Sequence, residues 1–310
     1  MRIIVAGAAG FIGYHLCRRL LDAGHEVVGI DNLVTGSERN ADDLARIKGF
    51  TYIRQDICAP LRMDGPVDRV FNLACPASPV DFHEKAVEIM LTCSVGVKNL
   101  LDLSLEKHSL FLQASTSECY GDPLEHPQKE TYRGNVSSIG PRAPYDEGKR
   151  FAEAMTMTYH RLRSVSTRMV RIFNTYGPRM RSNDGRALPN FINQALDGQP
   201  LTLHGDGSQT RSFCYVDDLV EAILRTADSD CHEPINIGND EEITVEQAAR
   251  AVIEMTGSKS QMILTQRPVN DPERRRPDLS RARELLGWGP TTPWREGFAR
   301  TIDYFRSVRG

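Results

Sequence analysis

The residues from Arg2 to Asp31 leave little choice of fold. Arg2–Ala6 has the length and β-branching of a buried parallel strand and runs into Gly7-Ala8-Ala9-Gly10-Phe11-Ile12-Gly13, after which Ile12, Leu16, Leu20 and Leu21 recur at helical spacing. Strand, glycine loop and helix in that order let bare backbone approach a pyrophosphate, whose charge then rests on the unpaired N–H groups of the helix start. The spacing is Gly-x-x-Gly-x-x-Gly rather than the commoner dinucleotide fingerprint, so the loop alone is a weak signal. Glu26–Ile30 strengthens it as a second strand that ends in Asp31, about 20 residues past the loop. An acid there hydrogen-bonds both ribose hydroxyls and repels a 2′-phosphate, which favours NAD over NADP as the cofactor.

Further βα units follow. Phe50–Ile53 leads to Asp56-Ile57, and Arg69–Ala74 leads to Cys75-Pro76-Ala77-Ser78-Pro79. Leu110–Ala114 leads to Ser115-Thr116-Ser117-Glu118, and Thr167–Phe173 delivers Asn174. The carboxyl ends of an open parallel sheet line one crevice, and a ligand belongs there. The expected fold is α/β, a Rossmann-type doubly wound parallel sheet over residues 1–176, with short later segments returning to it. Residues 177–310 are expected to form a smaller mixed domain that binds the substrate. Among its pieces, Leu201–His204 and Ile235–Gly238 read as short strands, and Thr244-Val245-Glu246-Gln247 reads as a capping box on a helix ending near Gly257. Apolar residues recur at helical spacing between Glu84 and Lys107, fitting either core or a partner helix.

A second polar cluster sits at the start of another helical pattern, Pro144-Tyr145-Asp146-Glu147-Gly148-Lys149. Proline costs nothing at the start of a helix, so Tyr145 falls in the first turn with Lys149 on the same face. The positive helix end and the ammonium should both make the phenol easier to ionise, which makes it a candidate general base. Tyr and Lys also occur four apart by chance, and the strand-end clusters are what raise this pair above coincidence.

Charge and cysteine usage exclude several classes. A formal charge of −3 with acids and bases interspersed gives no footprint for nucleic acid or an anionic membrane. The seven cysteines are scattered without a Cys-x-x-Cys, as expected of reduced intracellular thiols rather than a disulfide framework or a metal site. The apolar run Ile3–Ala6 is too short for a signal sequence or a membrane span, so a cytoplasmic location is expected.

The glycine loop, Asp31, the Tyr145/Lys149 pair and Asn174-Thr175-Tyr176-Gly177-Pro178-Arg179 resemble an extended short-chain dehydrogenase/reductase acting on nucleotide sugars. Leu73–Pro79, Ser115–Pro123, Gly134-Asn135-Val136, Ile139–Arg142, Tyr145–Arg150, Arg171–Asn174, Gly207–Arg211 and Asp271–Asp278 narrow the resemblance to the UDP-glucuronic acid decarboxylase (UDP-xylose synthase) family, over nearly the whole chain. The resemblance implies NAD contacts at Gly7, Gly10, Phe11, Ile12 and Gly13, at Asp31, Asn32, Asp56 and Ile57, at Leu73 and Ala74, and at Tyr145 and Lys149. It implies a UDP-sugar substrate held by Pro76, Ser78, Asn174, Arg186, Arg211 and Arg275, with Asn174 on the diphosphate and Arg275 at the nucleotide end. Helices at 84–107 and 145–163 match those that form the dimer interface in relatives, so a homodimer is implied too. Two departures stand out: Cys93 where relatives usually carry asparagine, and Cys119 where valine is usual.

The implied chemistry is NAD-dependent decarboxylation through a 4-keto sugar. Loss of CO2 from C5 needs a neighbouring ketone, so Tyr145 takes the 4-hydroxyl proton while NAD⁺ accepts hydride, later returned. Thr116 or Ser117 steadies the developing enolate oxygen. Ser117 separates this family from the 4,6-dehydratases, which carry an aspartic acid there to protonate a departing hydroxyl. A further ionised group about 4 Å from the substrate carboxylate would cost up to ~4 kcal/mol at an effective dielectric of 20. Glu118 is assigned to ordering water or the sugar. Arg211 is assigned to the carboxylate, the diphosphate or C5 reprotonation, with a plain surface salt bridge as the alternative. The competing readings are a 4,6-dehydratase, a 4-epimerase, or an NAD-sensing binding protein without activity.

Overall fold

The computed structural model describes residues 1–266 and 274–309. β1 (Arg2–Ala6), β2 (Glu26–Asp31), β3 (Phe50–Arg54), β4 (Arg69–Asn72), β5 (Leu110–Thr116) and β6 (Thr167–Ile172) form one parallel sheet. Its order, continuing with a seventh strand, is β11-β6-β5-β4-β1-β2-β3, where β11 is Pro234–Ile237. Ile3, Ile4, Val5, Val70 and Phe71 are fully buried, as both faces of the sheet are covered. The order reverses between β1 and β4, the place where an open parallel sheet splits into a crevice.

The glycine loop enters this crevice as α1 (Phe11–Asp22) begins. A Cβ on Gly13 would lie 2.0 Å from the Gly7 carbonyl oxygen, and Gly7 itself has φ +82°. No side chain fits at either position, so the loop stays bare backbone.

Two differences from the sequence expectations stand out. Ile235–Ile237 pairs in parallel with β6 and so completes the large sheet rather than the smaller region. Ile235 and Ile237 have no exposed area, because without this strand the apolar edge of β6 would face water. The periodic stretch at 84–107 is not one helix. It breaks into α3 (Asp81–Glu84), α4 (Ala86–Leu91), a π-helical turn at Thr92–Gly96 and α5 (Val97–Lys107).

The remaining described strands are short: β7 (Thr175–Tyr176) pairs β10 (Cys214–Tyr215), and β8 (Leu201–His204) pairs β13 (Met262–Thr265). β9 (Thr210–Ser212) lies between β12 (Glu242–Thr244) and β14 (Arg274–Arg275). The capping box forms, Thr244 Oγ1 accepting from the Gln247 N–H at 3.0 Å, and its helix stops at Gly257 with φ +69°. These strands and the helix Ala187–Leu196 close the crevice over the carboxyl ends of β4, β5 and β6.

Candidate active site

One strand end and one helix start build the centre. Thr116 ends β5, and its Oγ1 accepts from the Glu118 N–H at 3.2 Å, capping the short 3-10 turn Ser117–Tyr120. The long helix α6 (Ala143–Arg163) has Pro144 in its first turn, which fixes Tyr145 and Lys149 one turn apart on its buried face. Lys149 Nζ donates to the Ala114 carbonyl of β5 at 3.0 Å and lies 5.8 Å from the centre of the Tyr145 ring. Phe82 stacks on the Tyr145 ring with centres 4.6 Å apart.

The expectation of an easily ionised phenol is overturned for the protein by itself. Burial raises the Tyr145 pKa well above its ordinary value, and the Lys149 ammonium pulls it down without prevailing. The sequence displays the lysine and the helix start. It does not display the Phe82 ring or the depth of the pocket.

Glu118 sits between two guanidinium groups. Arg142 Nη2 donates to one carboxylate oxygen at 2.5 Å, and Arg275 Nη1 donates to the other. Burial alone would push the Glu118 pKa up, but Arg275 and then Arg142 bring it down to about 2. It is therefore a carboxylate at any working pH. Arg275 also donates to the Gly121 carbonyl at 3.2 Å and is almost fully buried. The resemblance puts Arg275 at the nucleotide end; here the register of β14 on β9 sets it beside Arg211, and its guanidinium meets Glu118. The rest of that loop motif, Asp271-Pro272-Glu273, lies outside the described residues.

Asp146 lies 3.9 Å from Arg142 Nε, with a buried Oδ1 that has no hydrogen-bond partner among the described residues. Burial first, and then the Glu118 charge, raises its pKa from 3.8 to about 7. A carboxyl whose folded pKa is raised binds more protons than the unfolded chain, so it loses stability as pH climbs from about 4 to about 7. Asp146→Asn is accordingly expected to raise the stability at pH 8 by about 1–3 kcal/mol and to leave it nearly unchanged at pH 4. Urea melts at the two pH values read this directly, and equal effects at both would exclude the assignment.

A cavity of about 380 Å³ unites most of the residues singled out in the sequence. Gly7, Gly10, Phe11, Ile12, Gly13 and Leu73 line it together with Thr116, Ser117, Glu118, Tyr145 and Lys149. Ser78, Asn174, Arg186, Arg211 and Arg275 line it too, with Arg186 donating to the Ala77 carbonyl at 2.7 Å. Asp31, Asn32, Asp56, Ile57, Ala74 and Pro76 stand outside it. Asp31 accepts from the Ala9 and Leu33 N–H groups at 3.0 and 2.8 Å, and Asn32 donates to Asp56 at 3.0 Å beyond the ends of β2 and β3. Ile57 packs against the π-helical turn at Gly96.

Several contributors had no role in the sequence reading. Arg142 and Phe82 are two of them. Glu153, one more turn along the Tyr145/Lys149 face, accepts from Ser115 at 2.5 Å and from Arg171 at 2.9 and 2.7 Å. That pairing fastens α6 to the ends of β5 and β6, and the 145, 149, 153 spacing was the available signal for it.

Fold and site together define a class: the chain belongs to the NAD dependent epimerase/dehydratase family, whose model matches residues 3–238. The residues present fit that cofactor, since the side-chain-free approach of Gly13 to Gly7 and the buried Asp31 at the end of β2 supply its two anchoring features. Within the family the chain groups with the UDP-glucuronic acid decarboxylases. It is 45% identical over 305 residues to UDP-glucuronic acid decarboxylase 1 of Xenopus tropicalis, covering 98% of this chain and 72% of that one. It is 46% identical over 307 residues to the Arabidopsis thaliana protein of the same name, covering 99% and 70%. Among solved structures it resembles the UDP-glucuronic acid 4-epimerase of Bacillus cereus in complex with UDP-glucuronic acid and NAD, with TM-score 0.89, 28% identity and coverage of 99% and 100%. It also resembles the dTDP-glucose 4,6-dehydratase DesIV of Streptomyces venezuelae, with TM-score 0.91, 25% identity and coverage of 100% and 98%.

Proposed function

We propose that this protein converts UDP-glucuronate to UDP-xylose, releasing CO2 through a 4-keto sugar and recycling its NAD. NAD⁺, held by the glycine loop and Asp31, would supply a hydride acceptor and a positive charge to the site. Tyr145 takes the 4-hydroxyl proton, and Lys149, anchored on Ala114, favours the phenolate that receives it. Thr116 donates to the oxygen that gathers charge as CO2 leaves, and Tyr145, by then protonated, donates to it as well. Tyr145 finally returns its proton as the 4-hydroxyl re-forms. Asn174, Arg186 and Arg211, at the cavity wall, are assigned to the substrate.

The observation that carries this reading is the state of Ser117 and Glu118. Glu118 is held as a carboxylate by two arginines and Ser117 is a neutral hydroxyl, so neither can protonate a departing hydroxyl group as a dehydratase requires. Decarboxylation needs no such acid. The test is incubation with UDP-glucuronate and NAD⁺ in D2O, reading product mass and the position of deuterium. Loss of one CO2 with a single deuterium at C5 and none at C4 supports the proposal. Loss of water would make the protein a dehydratase, and an unchanged mass would make it an epimerase or an inactive binder.

The same reading includes a homodimer working in the cytoplasm. Val87, Met90, Leu91 and Val95 expose apolar area along α4 and the π-helical turn, and Phe151 and Leu162 do so on α6, which packs beside α4. A second copy of this face is the natural cover for such a stripe. Phe151→Glu combined with Met90→Glu is expected to give a monomer by light scattering where the parent gives a dimer; a dimeric double variant would move the interface elsewhere. For the location, the support is seven free cysteines, and no helix among the described residues is long and apolar enough to cross a membrane.

A further inference from the structure

We propose that Cys75 and Cys93 form a reversible disulfide site in the wall of the cavity, closed by a peroxide and opened by a thiol. Their sulfurs lie 3.6 Å apart. Cys75 follows β4 and lines the cavity, so a small oxidant reaches it by the substrate's route. Cys93 is buried in the π-helical turn between α4 and α5, within a small apolar cluster that also holds Phe82, Ile89 and Tyr145. A disulfide needs the sulfurs at about 2.05 Å. The shortfall is about the reach of a side-chain rotation.

The two thiols have unequal chemistry. The Cys93 hydrogen bond and then the nearby Lys149 ammonium lower the Cys75 pKa against the effect of burial, whereas the same contact and burial raise that of Cys93. Cys75, which lines the cavity while Cys93 is buried behind it, is the sulfur that meets the oxidant and attacks. Its thiolate takes one peroxide oxygen as the O–O bond breaks and hydroxide leaves, giving a sulfenic acid. Cys93 sulfur then attacks that sulfur, the S–O bond breaks, and its proton leaves with the hydroxyl as water. Two thiols lose two electrons, and one peroxide becomes two waters.

Closure reaches the catalytic helix. Gly148 lies between Tyr145 and Lys149, and a Cβ there would sit 3.2 Å from the Cys93 Cβ, so this turn of α6 leans on Cys93. Drawing Cys93 toward Cys75 removes that support, and an ångström of misplacement at a reacting group costs about 100-fold in rate. This consequence rests on the decarboxylase reading; the disulfide itself does not.

The test treats the full-length protein with hydrogen peroxide, blocks free thiols and digests with trypsin. Residues 70–85 and 86–98 are tryptic peptides that hold Cys75 and Cys93 as their single cysteines. The expected result is a linked 70–85/86–98 pair that dithiothreitol separates, accompanied by a roughly 100-fold slower turnover that recovers on reduction. Cys93→Ser and Cys93→Val should give no linked pair, the Cys75 sulfenic acid having no second thiol to close on. Absence of the linked pair in the parent, or its persistence in the Cys93 variants, would overturn the site. A linked pair with unchanged turnover would overturn its coupling to α6. The peptide readout stands even if the substrate proves to be another sugar nucleotide.

Discussion

Tyr145→Phe is expected to slow UDP-xylose formation by roughly 10³-fold, within the range of a lost general base, while NAD remains bound. The substitution removes one oxygen and keeps the ring that stacks on Phe82 at 4.6 Å, so packing and the glycine loop stay as they were. What disappears is a phenol that lines the cavity with Lys149 5.8 Å from its ring. Because burial raises the phenol's pKa, the parent enzyme should gain rate as pH rises on the acid side of its profile. That limb should vanish in the variant. Steady-state rates across pH, with NAD binding followed by fluorescence, provide the measurement. A variant with near-parental turnover would remove Tyr145 from the chemistry.

Arg275→Ala should have the next largest effect, a rate loss of roughly 10²-fold. It leaves Glu118 buried with Arg142 as its remaining guanidinium in the pair, and stripping one partner from a buried ion pair costs about 3–5 kcal/mol. The sign of the pH dependence follows from the depressed Glu118 pKa. Its stabilising contribution is complete above the unfolded value of 4.5 and is lost as pH falls toward about 2. The stability gap between parent and Arg275→Ala should therefore be widest above pH 4.5 and shrink in acid. Arg275→Lys keeps the charge without the two-pronged guanidinium and should recover only part of both losses. Denaturant melts from neutral pH to pH 3, alongside product formation, test this; a gap independent of pH would mean that Arg275 does not hold Glu118 in its charged form.

Local patterns explain what the sequence disclosed. The strand, glycine loop, helix and Asp31 were legible because each is fixed by neighbours within a few residues, and so was the capping box at Thr244. The same holds for Tyr145 and Lys149 sharing a helix face, and for Thr116, Ser117 and Glu118 at a strand end. Contacts between distant segments were not legible. Glu118 and Arg275 are 157 residues apart, and nothing near either one names the other. The arginine run around Arg275 looks like a solvated surface until β14 joins β9. The phenol's pKa was misjudged for the same reason, since a helix start and a lysine are local whereas burial is a property of the whole fold. Glu153 was within reach of the spacing argument, but its partner Arg171 comes from another strand.

The seventh strand has a consequence for engineering. β11 belongs to the large sheet although the chain has already built four small strands in the other region before reaching it, and its Asn236 accepts from Tyr120 Oη at 2.7 Å. A chimaera that swaps everything after Tyr176 for a homologous half would import a foreign edge strand and sever that tether in one cut. Recombination boundaries that respect the architecture must carry Pro234–Ile237 along with the amino-terminal parent, which makes the exchangeable unit an insertion rather than a tail.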